Sequence, residues 1–154
     1  MNAKNFVAAL ANIRLPNVFN PYADQCEACD LDNAASVRRK NLSSYLKSVE
    51  ELEVDTLWMG RDLGYRGGRR TGLALTDESH LLQFAARYPG SAPKRATRGP
   101  LVAERTATEI WAAISALPLP PLLWNVFPFH PHEQDDEMTN RRFTTHELKL
   151  VDAL

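Results

Sequence analysis

Two polar loops hold the side chains of this 154-residue chain that could do chemistry. The first, GRDLGYRGGRRTG from Gly60 to Gly72, packs five glycines, four arginines and one carboxylate, Asp62, into thirteen positions. Glycine lets a backbone approach a ligand closely, and arginine suits phosphate or another planar anion. Asp62 could act as general base on a water; as an Asp turn or a salt bridge to a neighbouring arginine it would only shape the loop. The spacing fits neither GxGxxG nor GxxxxGKS/T, which argues against a nucleotide-phosphate loop. The second loop opens WNVFPFHPH, Trp124 to His132. Asn125 sits there inside an apolar run, where its amide either bonds backbone or offers one donor and one acceptor to a base edge. His130 and His132 alternate with proline and can bind metal or donate to an anion, but no third ligand accompanies them. Cys26-x-x-Cys29 is likewise half of a metal site, or a pair of free thiols. The expectation is no metal and no cofactor.

The loops need elements to position them. Val54 to Met59, ending at Gly60, reads as a buried parallel strand, and Leu122 to Phe129, bounded by prolines, as a second strand. Helical spacing appears over residues 3 to 14, through Phe6, Val7, Leu10 and Ile13. A second stripe joins Val37, Leu42, Tyr45, Leu46, Val49 and Leu52, with Asp32 or Asn33 as cap. Asp77 and Glu78 open a third helix with Leu81, Leu82, Phe84, Ala85 and Tyr88 facing inward. Thr106 and Glu109 form a capping box before Ile110, Trp111, Ile114 and Leu117, and Thr144 and Glu147 form another before Leu148, Val151 and Leu154. Helices alternating with strands predict an α/β fold with a short parallel sheet, whose ligands bind outside the carboxyl ends of the strands. Both polar loops lie at such ends. Two strands are few for such a sheet, so we expect a longer relative to carry more chain beyond Leu154. A second copy or a partner chain is the other way to complete the sheet.

Composition bounds the rest. With 44% hydrophobic and 24% charged residues, the chain matches ordinary globular domains, and its length suggests a single domain over 1–154. No apolar run approaches a membrane span, the start lacks a signal-peptide core, and two cysteines are too few for a secreted framework. A cytoplasmic protein is expected. Nine basic residues against four acidic ones between Arg61 and Arg105 give that stretch +5 in a chain of net charge −1. Such a stretch is either an electrostatic footprint for a polyanion or a solvated face.

Together, the loops resemble the uracil-DNA glycosylase superfamily, especially its bacterial single-domain members. Leu57-Trp58-Met59-Gly60-Arg61-Asp62-Leu63-Gly64-Tyr65 is similar to that superfamily's first motif. Gly67 to Glu78 resembles its glycine-rich Arg-x-Thr-Gly-x-x-Phe-Thr-x-Glu segment. Leu122-Leu123-Trp124-Asn125-Val126 resembles its second strand, and Asn140-Arg141 with Thr144 and Glu147 the motif that follows. The resemblance runs from about Asn20 onward and implies a three-layer α/β/α fold, here C-terminally incomplete. It implies a DNA glycosylase that hydrolyses the N-glycosidic bond of uracil or a related base flipped out of DNA. By that resemblance Asp62 activates the water, Asn125 reads the base, and Gly60, Tyr65 and Leu75 line the base pocket. Arg69, Arg70, Lys94, Arg95 and Arg98 would hold phosphates, and either His130 or a segment not present here would assist the leaving group. Arg61 and Leu63 depart from the preferred Glu or Gln and Pro, and Leu75 stands where an aromatic usually stacks. Cys26 and Cys29 match the first pair of an iron-sulfur branch whose third cysteine is Phe129 here. The superfamily's last histidine-bearing loop has no counterpart. A homologue that binds DNA or a protein partner without chemistry is the alternative reading, and Asp62 discriminates between the two.

Overall fold

The computed structural model describes residues 2–152. Its helices are α1 (Ala3–Ala11), α2 (Ala34–Glu51), α3 (Gly68–Thr71), α4 (Leu81–Arg87), α5 (Arg105–Ser115) and α6 (Thr145–Val151). Its strands are β1 (Val18–Phe19), β2 (Leu57–Gly60), β3 (Leu122–Asn125) and β4 (His130–Pro131). The fold is mixed helix and strand around a small parallel sheet. Strands β2 and β3 run parallel in the register Leu57↔Leu122 to Gly60↔Asn125, so Gly60 and Asn125 stand side by side at their carboxyl ends. Strands β1 and β4 form a separate two-residue antiparallel pair. Sequence periodicity had no purchase on that pair, because two residues cannot show a period.

The second apolar run is shorter as a strand than its hydrophobicity suggests. Strand β3 stops at Asn125, and Phe127 and Phe129 instead bury their rings in the core, 5.5 Å apart. The outer edge of β3 is closed by a side chain: Leu123 N–H donates to the Tyr45 hydroxyl at 2.5 Å, satisfying a backbone donor that a third strand would otherwise pair. Tyr45 also packs on Phe84 and Tyr88 at ring distances of 5.0 and 4.9 Å, which ties α2 and α4 to the sheet. Trp111 of α5 joins this aromatic cluster through Phe84. One continuous core thus links residues from Val7 of α1 to Val151 of α6.

Several expectations are corrected. Strand β2 is not buried on both faces: α1 reaches Trp124 through Phe6, but Leu57 and Met59 stay 51% and 52% exposed. The buried face of α2 carries Arg38, Asn41 and Ser48 beside Leu42, Tyr45 and Val49; polar partners on the facing loops meet Arg38 and Asn41, whereas the Ser48 hydroxyl is buried without one. Helix α5 begins at Arg105 with Glu104 at its N-cap, so Thr106 and Glu109 make no capping box. The box at Thr144 and Glu147 is formed, with both reciprocal bonds present. Leu154, expected on the inner face of α6, lies outside the described residues. No helix among the described residues is long and apolar enough to cross a membrane.

Candidate active site

A cavity of about 300 Å³ opens at the carboxyl ends of β2 and β3, the position expected for a ligand in an α/β sheet. Its lining includes Gly60, Asp62, Leu75, Glu104, Asn125 and Asn140. Four residues singled out from sequence therefore converge: Gly60, Asp62, Leu75 and Asn125. The strand register explains the convergence, since it sets the ends of both strands level and lets each following loop fold over the same space.

Asn125 is 2% exposed, and its Oδ1 is buried without a hydrogen-bond partner. An unmet buried acceptor costs about 1–3 kcal/mol. Gly60 makes this arrangement possible. A Cβ there would collide with Asn125 Oδ1 and come within 2.8 Å of Leu75 Cδ2. Leu75 itself adopts φ +53°, a left-handed conformation that costs a branched side chain free energy, and its side chain lines the cavity from that position.

Asp62 lies in the wall with 7% of its side chain exposed and takes a two-point ion pair from its neighbour Arg61, at 2.6 Å from Nε and 3.3 Å from an Nη. Asp62 is thus salt-bridged to an adjacent arginine, as one of the two expected alternatives had it, and it also borders the cavity. Asn140 enters from the distant loop after β4, where its Oδ1 accepts the Tyr65 backbone N–H at 3.1 Å. Tyr65 is not among the lining residues; its ring sits 5.9 Å from the Arg66 guanidinium. The N-terminus of α5 faces the same space through Thr106, where helix-end N–H groups and the macrodipole favour negative charge.

Glu104 was counted in the sequence only as a charge, and no spacing tied it to Asp62. Asp77 accepts its backbone N–H at 2.6 Å and so fixes it at the start of α5. Burial, with Asp77 and then Asp62 nearby, raises its carboxyl pKa against the opposing pull of Arg66.

The remaining expected site residues lie elsewhere. Arg69 is 2% exposed: it donates to the Glu137 carbonyl and carboxylate at 2.9 and 3.0 Å and stacks 3.8 Å over Phe19. It is consumed inside the fold and cannot meet a phosphate. His130 is fully buried outside the cavity, with Nδ1 3.1 Å from Arg69 and Nε2 2.7 Å from the Thr139 carbonyl. Those partners fit a neutral ring with its hydrogen on Nε2. Burial and the Arg69 charge push its pKa down to about 3, so leaving-group assistance does not fit its place. Arg70 and Arg95 lie with Nε 3.2 and 3.5 Å from the buried Glu78 carboxylate, in charge contact rather than aligned to donate, and are mostly committed to it. Lys94 and Arg98 alone of the five have exposed side chains, though Arg98 also donates to the Glu27 carbonyl at 2.6 Å. Cys26 and Cys29 are free thiols, and no cluster of three or more His, Cys, Asp or Glu that could hold a metal occurs among the described residues. No family model, curated protein or solved structure matches the chain.

Proposed function

We propose that this protein is a DNA glycosylase that hydrolyses the N-glycosidic bond of uracil or a related base, within the three-layer α/β/α architecture that its motifs resemble. The observation that carries the reading is the meeting of Asp62 and the unpartnered Asn125 Oδ1 in one cavity at the level ends of β2 and β3. Uracil presents a ring N–H beside a carbonyl on its pairing edge, and an asparagine amide can accept from the first and donate to the second. The buried acceptor then gains the donor that it lacks in the free protein. A base cannot reach a cavity of this kind while stacked in a duplex, so the substrate is single-stranded or flipped out.

Glycosidic cleavage passes through a cationic sugar and releases an electron-rich base. Asp62 supplies a carboxylate at the cavity wall to take a proton from the attacking water and to face the developing positive charge. The N-terminus of α5, with Thr106, faces the same space with partial positive charge for the departing base. Leu75 gives an apolar wall in place of an aromatic ring. Exposed Arg61, which lines the cavity, and exposed Arg66, Lys94 and Arg98 suit phosphate contacts, which position DNA without reading sequence.

The test is uracil release from single-stranded and duplex oligonucleotides, read as alkali-labile cleavage, by the wild-type protein and Asp62→Asn. We expect release by the wild type and a loss of about 10²–10⁴-fold in the variant, the range for a general base. DNA binding without release, undiminished in Asp62→Asn, would instead identify a binding module.

A further inference from the structure

Glu104 is the acid of the cavity without an ion pair, with only the more distant charge of Arg66 opposing its burial. Asp62 pairs with Arg61, Glu78 with Arg70 and Arg95, Glu137 with Arg69 and Glu147 with Arg141, whereas Glu104 makes no ion pair among the described residues. As the N-cap of α5 its carboxylate would ordinarily accept the N–H groups of the first turn, yet it makes no such bond. It turns instead across the glycine loop: its two oxygens occupy the places where a Cβ on Gly64 and a Cβ on Gly67 would stand. The two glycines therefore make room for this carboxylate, and Asp77 holds its backbone in register. The cavity contains two carboxylates in contrasting surroundings, one ion-paired and one desolvated beside other acids. A desolvated carboxyl facing the same space as an ion-paired carboxylate is placed to give a proton where the other takes one.

We propose that Glu104 is a second catalytic residue of this site, the acid that protonates the departing base; the inference rests on the glycosylase reading above. Water adds to the sugar C1′ as the C1′–N bond breaks and its electron pair stays with the base. The water proton passes to Asp62, and the Glu104 carboxyl proton passes to the base. The products are neutral base, an abasic sugar, protonated Asp62 and Glu104 carboxylate, and proton exchange with solvent restores both acids.

The test is single-turnover uracil release from a uracil-containing single-stranded oligonucleotide across about pH 5 to 9, for wild type and Glu104→Gln, with DNA affinity and Tm measured alongside. The wild-type rate should fall as pH rises through the Glu104 pKa. Glu104→Gln should be slower by about 10²–10⁴-fold on the acid side of that limb, lose the limb itself, and keep its DNA affinity within about threefold. A variant as fast as wild type, or one that retains the limb, overturns the assignment while leaving the glycosylase reading intact. Should the variant fail to fold, a wild-type profile with no alkaline limb overturns it on its own. No release from the wild-type protein at any pH removes the glycosylase reading, and this assignment with it.

Discussion

The molecule has two polar centres of similar composition, and they are satisfied to opposite degrees. In the interior, Arg38 is fully buried and spends four of its five N–H donors: both Nη atoms meet the Asp30 carboxylate at 2.9 Å, Nε meets the Pro21 carbonyl and an Nη meets the Asp24 carbonyl. Arg69, His130 and Glu137 close a second such network nearby. At the strand ends, by contrast, among the described residues Asn125 Oδ1 has no partner and Glu104 makes no ion pair, and Leu75 holds a left-handed backbone. A satisfied buried network specifies one packing and has no capacity left for a ligand. Groups left open at the cavity weaken the free protein slightly and can gain partners only when something binds. The arginines of the glycine loop looked alike in sequence; Arg69 went to the first centre and Arg61 to the second.

Four changes would break or sharpen this contrast. The largest effect should come from Arg38→Met, which leaves the Asp30 carboxylate buried and alone: we expect about 3–5 kcal/mol of lost stability in urea unfolding, a cost set by folding rather than chemistry. Gly60→Ala should do the reverse. Its Cβ displaces Asn125 and Leu75, so base release should drop by about 10²-fold with a much smaller change in unfolding midpoint. Acid should act on the interior centre. His130 takes no proton in the folded state until about pH 3, whereas the unfolded chain binds one near 6.5, so stability rises with pH between those values and is lost as pH falls through them. From pH 7 to 5 this amounts to about 2 kcal/mol, visible as a falling Tm that His130→Asn should flatten. The smallest effect belongs to the rim: Lys94→Ala and Arg98→Ala should each reduce the slope of log affinity for DNA against log salt by up to about 0.9, and the same change at Arg69 should leave the slope unaltered if the protein folds.

Much of the scaffold was legible. The 3.6-residue stripes located α1, α2, α4 and α5, and the Thr144–Glu147 pair located the start of α6 to the residue. Apolar runs ending in polar loops placed β2 and β3 and implied their parallel pairing, which the register bears out. Polar burial was not legible. Arg38 and Asn41 face inward because the loops around Pro21, Asp24, Thr71 and Lys94 return carbonyls to them, and no local pattern encodes a partner fifty positions away. Nor could periodicity show that the glycine loop would close into the single turn of α3, which swings Arg69 inside.

By itself, the amino-acid order located five of the six helices and the two principal strands and marked Asp62 and Asn125 as candidates, because those depend on spacing along the chain and on side-chain chemistry. The tertiary structure decided which carboxylates and arginines share a space. It brought Glu104 into the cavity 42 positions from Asp62, left Asn125 Oδ1 without a partner, and sealed His130 behind Arg69. Each of these outcomes turns on burial and on a partner's distance through space, quantities that exist only once the chain has folded.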